Sequence, residues 1–375
     1  MKILHVNEDI YPALGGLELA IKRIAEEQVS QGHQVHVLTS SSVLPFQDTG
    51  SGERWSKDIR ITKLKSVRAH YPALTMPLCG ARLDDDFDVV HIHSQASIFN
   101  WYVAERFERD VPRIITFLAV RSMREHPSPL RKIGGGCLDS FLTNRMVRLA
   151  NISVVLGNRD REVMVEHYGV SPKTVSFGVT DDFKYQPEDS SFAETFGLVG
   201  RTVILYVGRL DPGKGPQLLV RAMSLVRKRI GNATALFVGP GDWNWLGELA
   251  VSEGVEGEVM HVGVLSERMK VSAFDSATCV VVPSTTALSE AFSIVVSEAF
   301  SRKKPVVASD VGELTHRVVN KQNGFLFQSN SVPDLARKIL QAVDTFKGGL
   351  PPAAAGKVIT WADVAKEFVK LYKSA

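Results

Sequence analysis

The side chains best suited to chemistry fall in two short stretches of the second half of the chain. The first, Tyr206-Val207-Gly208-Arg209-Leu210-Asp211-Pro212-Gly213-Lys214-Gly215, runs from a β-branched strand through a glycine-rich turn toward a helix. Glycines let backbone N–H groups approach anion oxygens, a helix start favours negative charge, and Arg209 and Lys214 add two cations. A diphosphate suits that chemistry. The plainer reading is a turn shaped by its glycines, with both cations solvated. Gly208, Gly213 and Lys214 also keep the G-x-x-x-x-G-K spacing of a P-loop, but Gly215 stands where that loop needs Ser or Thr, so a P-loop NTPase is set aside.

The second stretch, Ser289 to Phe300, carries Glu290 and Glu298. If a helix starts near Phe292, Glu290 lies in the preceding loop and Glu298 about two turns inside, roughly 12 Å away at ~1.5 Å per residue. That distance spans a nucleotide sugar from hexose to ribose. Between the two acids, the N–H groups of Ser293 and Ile294 would face an anion at the helix start. The plainer reading makes Glu290 a helix-start charge and Glu298 part of a solvated face, yet Glu298 has Ile294, Val295, Ala299 and Phe300 around it.

Both stretches need strands to carry them, and the chain supplies strands throughout. Short β-branched runs alternate with helix-length amphipathic segments, the pattern of parallel sheets with crossover helices, so the fold class is α/β, doubly wound. Expected strands are Ile3 to Asn7, Gln34 to Thr39, Ile59 to Leu64, Val89 to His93, Arg113 to Phe117, Ile152 to Leu156 and Thr174 to Phe177. In the second half they are Val203 to Val207, Thr234 to Val238, Val259 to Val262, Thr278 to Val282, Val306 to Ala308 and Gly324 to Phe327. A polar linker from Thr180 to Gly200 divides two Rossmann-like halves, residues 1–185 and 186–359. A last helix, within 360–375, is expected to return to the first half.

The 375 residues, 44% hydrophobic and 23% charged, exclude disordered and low-complexity classes. Net charge is only +3, which gives no reason to expect a nucleic-acid partner. Cys79, Cys137 and Cys279 are odd in number and form no C-x-x-C, so neither disulfides nor a structural zinc site is expected, and the compartment reads as cytoplasmic. The opening Met1 to Val6 reads as a first strand and not a signal segment, because Asn7, Glu8 and Asp9 interrupt it. No apolar run nears the ~18 residues of a membrane span.

The V-G-R-L-x-x-x-K-G context of Arg209 and Lys214, the Glu290-x7-Glu298 pair and Pro305-Val306-Val307-Ala308-Ser309-Asp310-Val311-Gly312 resemble the family 4 retaining glycosyltransferases of the GT-B fold. Gly15-Gly16-Leu17-Glu18, opening a helix that ends at Gly32-His33, and Asn323-Gly324-Phe325-Leu326 extend the resemblance over nearly the whole chain. It implies two Rossmann-like domains facing a cleft, with a nucleoside-diphosphate sugar as donor, a hydroxyl acceptor and no metal or other cofactor. Arg209 and Lys214 would hold the diphosphate, Glu290 would accept from hydroxyls of the transferred sugar and Glu298 from the ribose. Phe292, Ser293 and Ile294 would line the donor, and the amides of Gly15 and Gly16 would approach its phosphates or the acceptor. The chain departs from the pattern at Leu118, where the family often has His in a T-x-H context; at Glu313, Thr315 and His316, in place of Gly, Pro and Glu; and at Ala291 and Ser293, in place of glycines.

Other constellations are weaker. His91 and His93 share a strand face, but no third metal ligand is identifiable and a structural pair is favoured; His93 and Arg121 are the candidate acceptor contacts. Asp84, Asp85 and Asp86 precede their strand and read as a solvated turn. Arg121, Arg124, Arg131, Lys132, Arg145 and Arg148 outnumber Glu125 and Asp139, so this segment suits either peripheral contact with an anionic membrane or an ordinary helix with a basic outer side. Trp243 and Trp245 suit base stacking or helix capping equally. Apart from glycosyl transfer, a nucleotide-sugar-binding partner or regulatory subunit without turnover, and a sugar phosphorylase of the same architecture, are kept as alternatives.

Overall fold

Apolar runs too short for helices and flanked by turn residues become strands buried on both faces. The computed structural model describes residues 1–11, 15–42, 55–69, 74–78, 86–106, 110–125 and 128–375, with only the backbone at 130, 131 and 289. The chain divides into two compact units, Met1–Phe177 with Trp361–Ala375, and Gly178–Thr360. The break falls at Phe177 and not at 185, because Val179, Phe183 and Phe192 belong to the core of the second unit. Much of the polar stretch from Thr180 to Gly200 is therefore folded: the helices Asp181–Tyr185 and Ser191–Thr195 lie within it.

The first unit contains β1 (Lys2–Val6), β2 (Gln34–Ser40), β3 (Ile59–Leu64), β4 (Ser66–Arg68), β5 (Thr75–Pro77), β6 (Val89–His93), β7 (Arg113–Phe117), β8 (Ile152–Val155) and β9 (Lys173–Thr174). All but β4 and β5 form one parallel sheet in the order β3-β2-β1-β6-β7-β8-β9. The antiparallel pair β4 and β5 was not expected, since runs of 3 residues carry no readable alternation. The expected strand Thr174 to Phe177 pairs only over Lys173–Thr174.

The second unit contains β10 (Thr202–Val207), β11 (Ala233–Val238), β12 (Val259–His261), β13 (Cys279–Val282), β14 (Val306–Ser309) and β15 (Gly324–Phe327). These form a second parallel sheet, ordered β12-β11-β10-β13-β14-β15. Every residue of β11, β13 and β14 is buried, as the near-continuous Val, Ala and Leu content requires when helices cover both faces.

The C-terminal helix Trp361–Tyr372 packs in the first unit, burying Trp361, Val364, Ala365, Phe368, Val369 and Tyr372, one stripe at helical spacing. A directional chain of hydrogen bonds fastens its end to the sheet. The Gln28 amide donates to the Tyr372 hydroxyl (3.3 Å), which donates to His91 Nδ1 (2.6 Å), leaving His91 Nε2–H to donate to Thr116 Oγ1 (2.8 Å). His5 Nε2–H donates to Gln28 Oε1 (2.7 Å), so His5 Nδ1 accepts from His93 Nε2 (2.8 Å). Every proton has an acceptor only when all three imidazoles are neutral.

Burial holds all three below the ordinary histidine range, His5 at about 4. A base with a depressed folded-state pKa stabilises the fold fully above its unfolded value, and that stability is lost as pH falls toward the folded value. Denaturant unfolding is therefore expected to show stability falling as pH drops from 6.5 toward 4, with His5 alone accounting for about 2 kcal/mol at pH 5. A flat profile across that window is incompatible with a neutral network.

Candidate functional site

In an open parallel sheet, the loops leaving the carboxyl ends of two adjacent strands part to opposite sides where the strand order reverses, and ligands bind there. In the second sheet the reversal lies between β10 and β13. The loop after β10 is residues 208–215 and the loop after β13 is residues 283–293, so topology alone brings together the two stretches singled out in the sequence.

They are bonded to each other. Thr285 N–H donates to the Gly213 carbonyl (3.0 Å), and Gly215, at φ +74°, passes so close that an added Cβ would stand 1.9 Å from the Pro283 oxygen. Lys214 Nζ donates to Glu290 Oε1 (2.8 Å), which also accepts from Ser284 Oγ (2.5 Å). Glu290 is 2% exposed, and among the described residues its buried Oε2 has no hydrogen-bond partner. Behind it, Gly312 sits at φ +55°, where a Cβ would lie 2.5 Å from the Glu290 carbonyl, and Glu313 N–H donates to that carbonyl (3.0 Å).

Arg209 is half-exposed, its Nε 3.4 Å from Asp211 Oδ2. Its carbonyl accepts from the Tyr206 hydroxyl (2.6 Å), which burial and the nearby acids Asp211 and Glu290 keep protonated. The expectation that this turn offers free amides is corrected: Asp211 Oδ1 takes the N–H groups of Gly213 (3.0 Å) and Lys214 (3.2 Å). An Asp two residues ahead competes for the donors. The turn thus presents cationic side chains, and the helix Ile294–Ser301 supplies the amide face.

That helix starts later than expected, at Ile294, with Ser293 as its N-cap and Phe292 outside it. Glu298 is therefore little more than one turn inside. The Ser293 side chain makes no capping bond, so neither Ile294 nor Val295 N–H is satisfied by it. Glu298 is buried and pairs with Lys270 Nζ (2.9 Å), which also meets Glu267 (2.9 Å). Burial raises the Glu298 carboxyl, with Lys270 opposing. Burial alone would lower Lys270, but Glu298 and Glu267 hold it above its ordinary range.

The remaining candidates lie in the first unit. Gly15 is the extended N-cap of the helix Gly16–Ser30 and has no side-chain cap. His93 is not an accessible acceptor contact: it is 1% exposed and committed to His5. Strand pairing of β1 with β6 supplies the third imidazole that sequence spacing could not show. Among the described residues, His5, His91 and His93 are a group able to hold a metal, with one nitrogen each within 4.8 Å, but those rings already bond to one another, Gln28, Tyr372 and Thr116.

Arg121 does stand at the carboxyl end of β7, in a strained turn with Ala119 at φ +48° and Arg121 itself at φ +62°. Asp160 takes the amides of Ala119 (2.7 Å) and Val120 (3.0 Å), Asp139 that of Arg121 (2.8 Å), and Gln95 both backbone groups of Leu118. Neither Asp160 nor Gln95 has a sequence signal of its own. Nearby, Glu8 is buried against Ser97 (2.6 Å), Thr75 and Arg68, and burial raises its carboxyl.

In the helix Pro129–Leu149, Lys132, Ile133, Phe141, Arg145 and Arg148 are exposed while Leu142 and Met146 are buried. Trp243 stacks on His261 at 4.9 Å and tilts against Phe237 at 5.3 Å, which makes it part of the core edge. Cys79, Asp84 and Asp85 lie outside the described residues. Among the described residues no helix is long and apolar enough to cross a membrane.

Comparison with known proteins agrees with this geometry. Residues 190–345 match the family described as glycosyl transferases group 1, and residues 14–181 match glycosyltransferase family 4. A D-inositol 3-phosphate glycosyltransferase of Rhodococcus jostii is 30% identical, over 96% of this chain and 85% of that one. The fold is similar to sucrose-phosphate synthase from Thermosynechococcus elongatus (TM-score 0.76, 19% identity, 100% and 98% of the two chains). It is also similar to Anabaena HepE, solved with UDP and glucose (TM-score 0.73, 18% identity, 100% of each chain). The chain belongs to the group 1 glycosyltransferases, and its fold is GT-B.

Because Gly215 has both a left-handed backbone and no room for a methyl group, Gly215→Ala is expected to destabilise the second unit by roughly 2 kcal/mol or more and to separate the two loops. Thermal unfolding of the variant beside the parent protein measures this.

Proposed function

We propose that this protein transfers a sugar from a nucleoside-diphosphate sugar to a hydroxyl acceptor, with retention of anomeric configuration and without a metal ion. One observation carries the reading: at the β10/β13 reversal, Lys214 holds one oxygen of a buried Glu290 while the other, Oε2, has no partner among the described residues. A buried carboxylate oxygen left bare costs about 1–3 kcal/mol, and a sugar hydroxyl is the donor that fits it. That a structural neighbour was solved with UDP and glucose supports a nucleotide-sugar donor.

The diphosphate would lie against Lys214, Arg209 and the first amides of the helix Ile294–Ser301. As the bond from the anomeric carbon to the phosphate oxygen breaks, negative charge grows on the leaving diphosphate, and the fixed cations and dipoles stabilise it. These groups do the work a divalent ion would otherwise do. The acceptor oxygen bonds to the anomeric carbon on the face the phosphate leaves, and the acceptor proton passes to the leaving phosphate oxygen. Glu298, with Lys270 on Oε1, would accept from the ribose through its other oxygen.

A thermal-shift panel of UDP, GDP and ADP and their sugars, with chelator present, is expected to give one nucleotide series that stabilises the protein. Lys214→Ala and Glu290→Ala are each expected to lower transfer by about a hundredfold or more while the fold persists, and product NMR is expected to show the donor's anomeric configuration. Donor binding with no transfer to any acceptor would favour a binding subunit instead; phosphate-dependent release of sugar phosphate would favour a phosphorylase.

Exposed Arg124, Lys132, Arg145 and Arg148 beside exposed Ile133 and Phe141 support peripheral contact with an anionic bilayer at the cytoplasmic face. Vesicles containing phosphatidylserine are expected to pull the protein down at low salt and vesicles of phosphatidylcholine alone are not. Equal recovery with both would remove this part of the reading.

A further inference from the structure

Arg317, which no sequence pattern singled out, ends the short helix Leu314–Arg317 beyond β14. One arm of its partly buried guanidinium, Nη1, donates to the Ser293 carbonyl, and the other, Nη2, donates to Ser297 Oγ (2.7 Å). Its Cζ stands over the Phe292 ring, 4.1 Å from the ring centre. It therefore grips the loop just before the helix Ile294–Ser301, the N-cap and the first turn at once, at the place where Ser293 makes no side-chain cap.

The charge matters as well as the grip. Burial lowers Arg317 to about 10, opposed by Glu313 and Glu290, which leaves it fully protonated at neutral pH. Its hydrogen-bond acceptors, a carbonyl and a hydroxyl, are neutral, and among the described residues no carboxylate oxygen comes within salt-bridge distance of it. Glu290 Oε1 is already taken by Lys214 and Ser284. A cation held by a carbonyl and a hydroxyl behind a helix start adds to the positive end of that helix.

We infer that Arg317 is a positioning residue for the donor: it fixes the turn Phe292–Val295 so that its amides face the diphosphate, and it strengthens the positive potential there. This rests on the nucleotide-donor reading above. It assigns to Arg317 the diphosphate alone, and neither the base nor the ribose.

The test compares binding by the full chain of UDP, GDP, ADP, inorganic pyrophosphate and the nucleosides uridine, guanosine and adenosine. For the diphosphate the parent protein prefers, Arg317→Met is expected to weaken both that nucleotide and pyrophosphate about tenfold, near 1.4 kcal/mol, with the matching nucleoside unchanged. Arg317→Lys, which keeps the charge but loses the fork, is expected to recover part of the loss. Ser297→Ala, which removes one hydrogen bond and no charge, is expected to cost about two- to threefold and serves where Arg317→Met fails to fold. Unchanged diphosphate affinity in Arg317→Met, or in Ser297→Ala where the former is unfolded, overturns the inference, as does a loss of nucleoside and diphosphate in equal proportion. A parent protein that binds none of the diphosphates overturns this inference and the donor reading together, whereas intact parent binding confines any failure to Arg317.

Discussion

The ion pair between Lys214 and Glu290, 2.8 Å long, joins residues 76 apart in sequence, and the site is built around it. Glu290 is 2% exposed, and among the described residues Lys214 and Ser284 bond one of its two carboxylate oxygens and nothing bonds the other. The pairing forces the loop after β10 and the loop after β13 to share a surface. Gly215 allows the backbones to approach, and Gly312 lets the next loop close beneath Glu290. Two side-chain bonds and two close backbone approaches thus converge on one buried side chain.

Around that pair the charges are arranged by depth. Arg209 is half in solvent beside Asp211, Lys214 is tied to an acid, and Lys270 is held between Glu298 and Glu267. The helix Ile294–Ser301 starts four residues after Glu290 and carries Glu298 itself, and the Ser293 side chain does not cap its first amides. The turn 208–215, by contrast, spends its amides on Asp211. In the proposed reading, side chains from one loop and backbone from the other would divide the work of meeting an anion with groups already in place.

The first unit uses a different economy. Its central strands carry His5, His91 and His93 as neutral, hydrogen-bonded parts of the core, and the last helix of the chain is fastened to them through Tyr372. Its loops at the carboxyl ends of β1, β6 and β7 are held by the buried acids Glu8, Asp139 and Asp160, with strain at Ala119 and Arg121.

Much of this was legible in the amino-acid order. The parallel α/β class and nearly all the long strands follow from buried β-branched runs, and Arg209, Lys214, Glu290 and Glu298 stand out because their spacing and neighbours are local properties. Burial of Glu298 was readable from Ile294, Val295, Ala299 and Phe300 for the same reason. Contacts between distant segments were not: Lys270 on Glu298, Arg317 on Ser293 and Ser297, and His5 beside His93 arise only when strands pair and helices pack. The start of the helix at Ile294 was settled only in the folded chain, whereas the capture of the Gly213 and Lys214 amides by Asp211, two and three residues before them, is a local turn already held in the sequence. Sequence alone thus determined which groups could act, and the folded chain decided which of them still have an atom to offer.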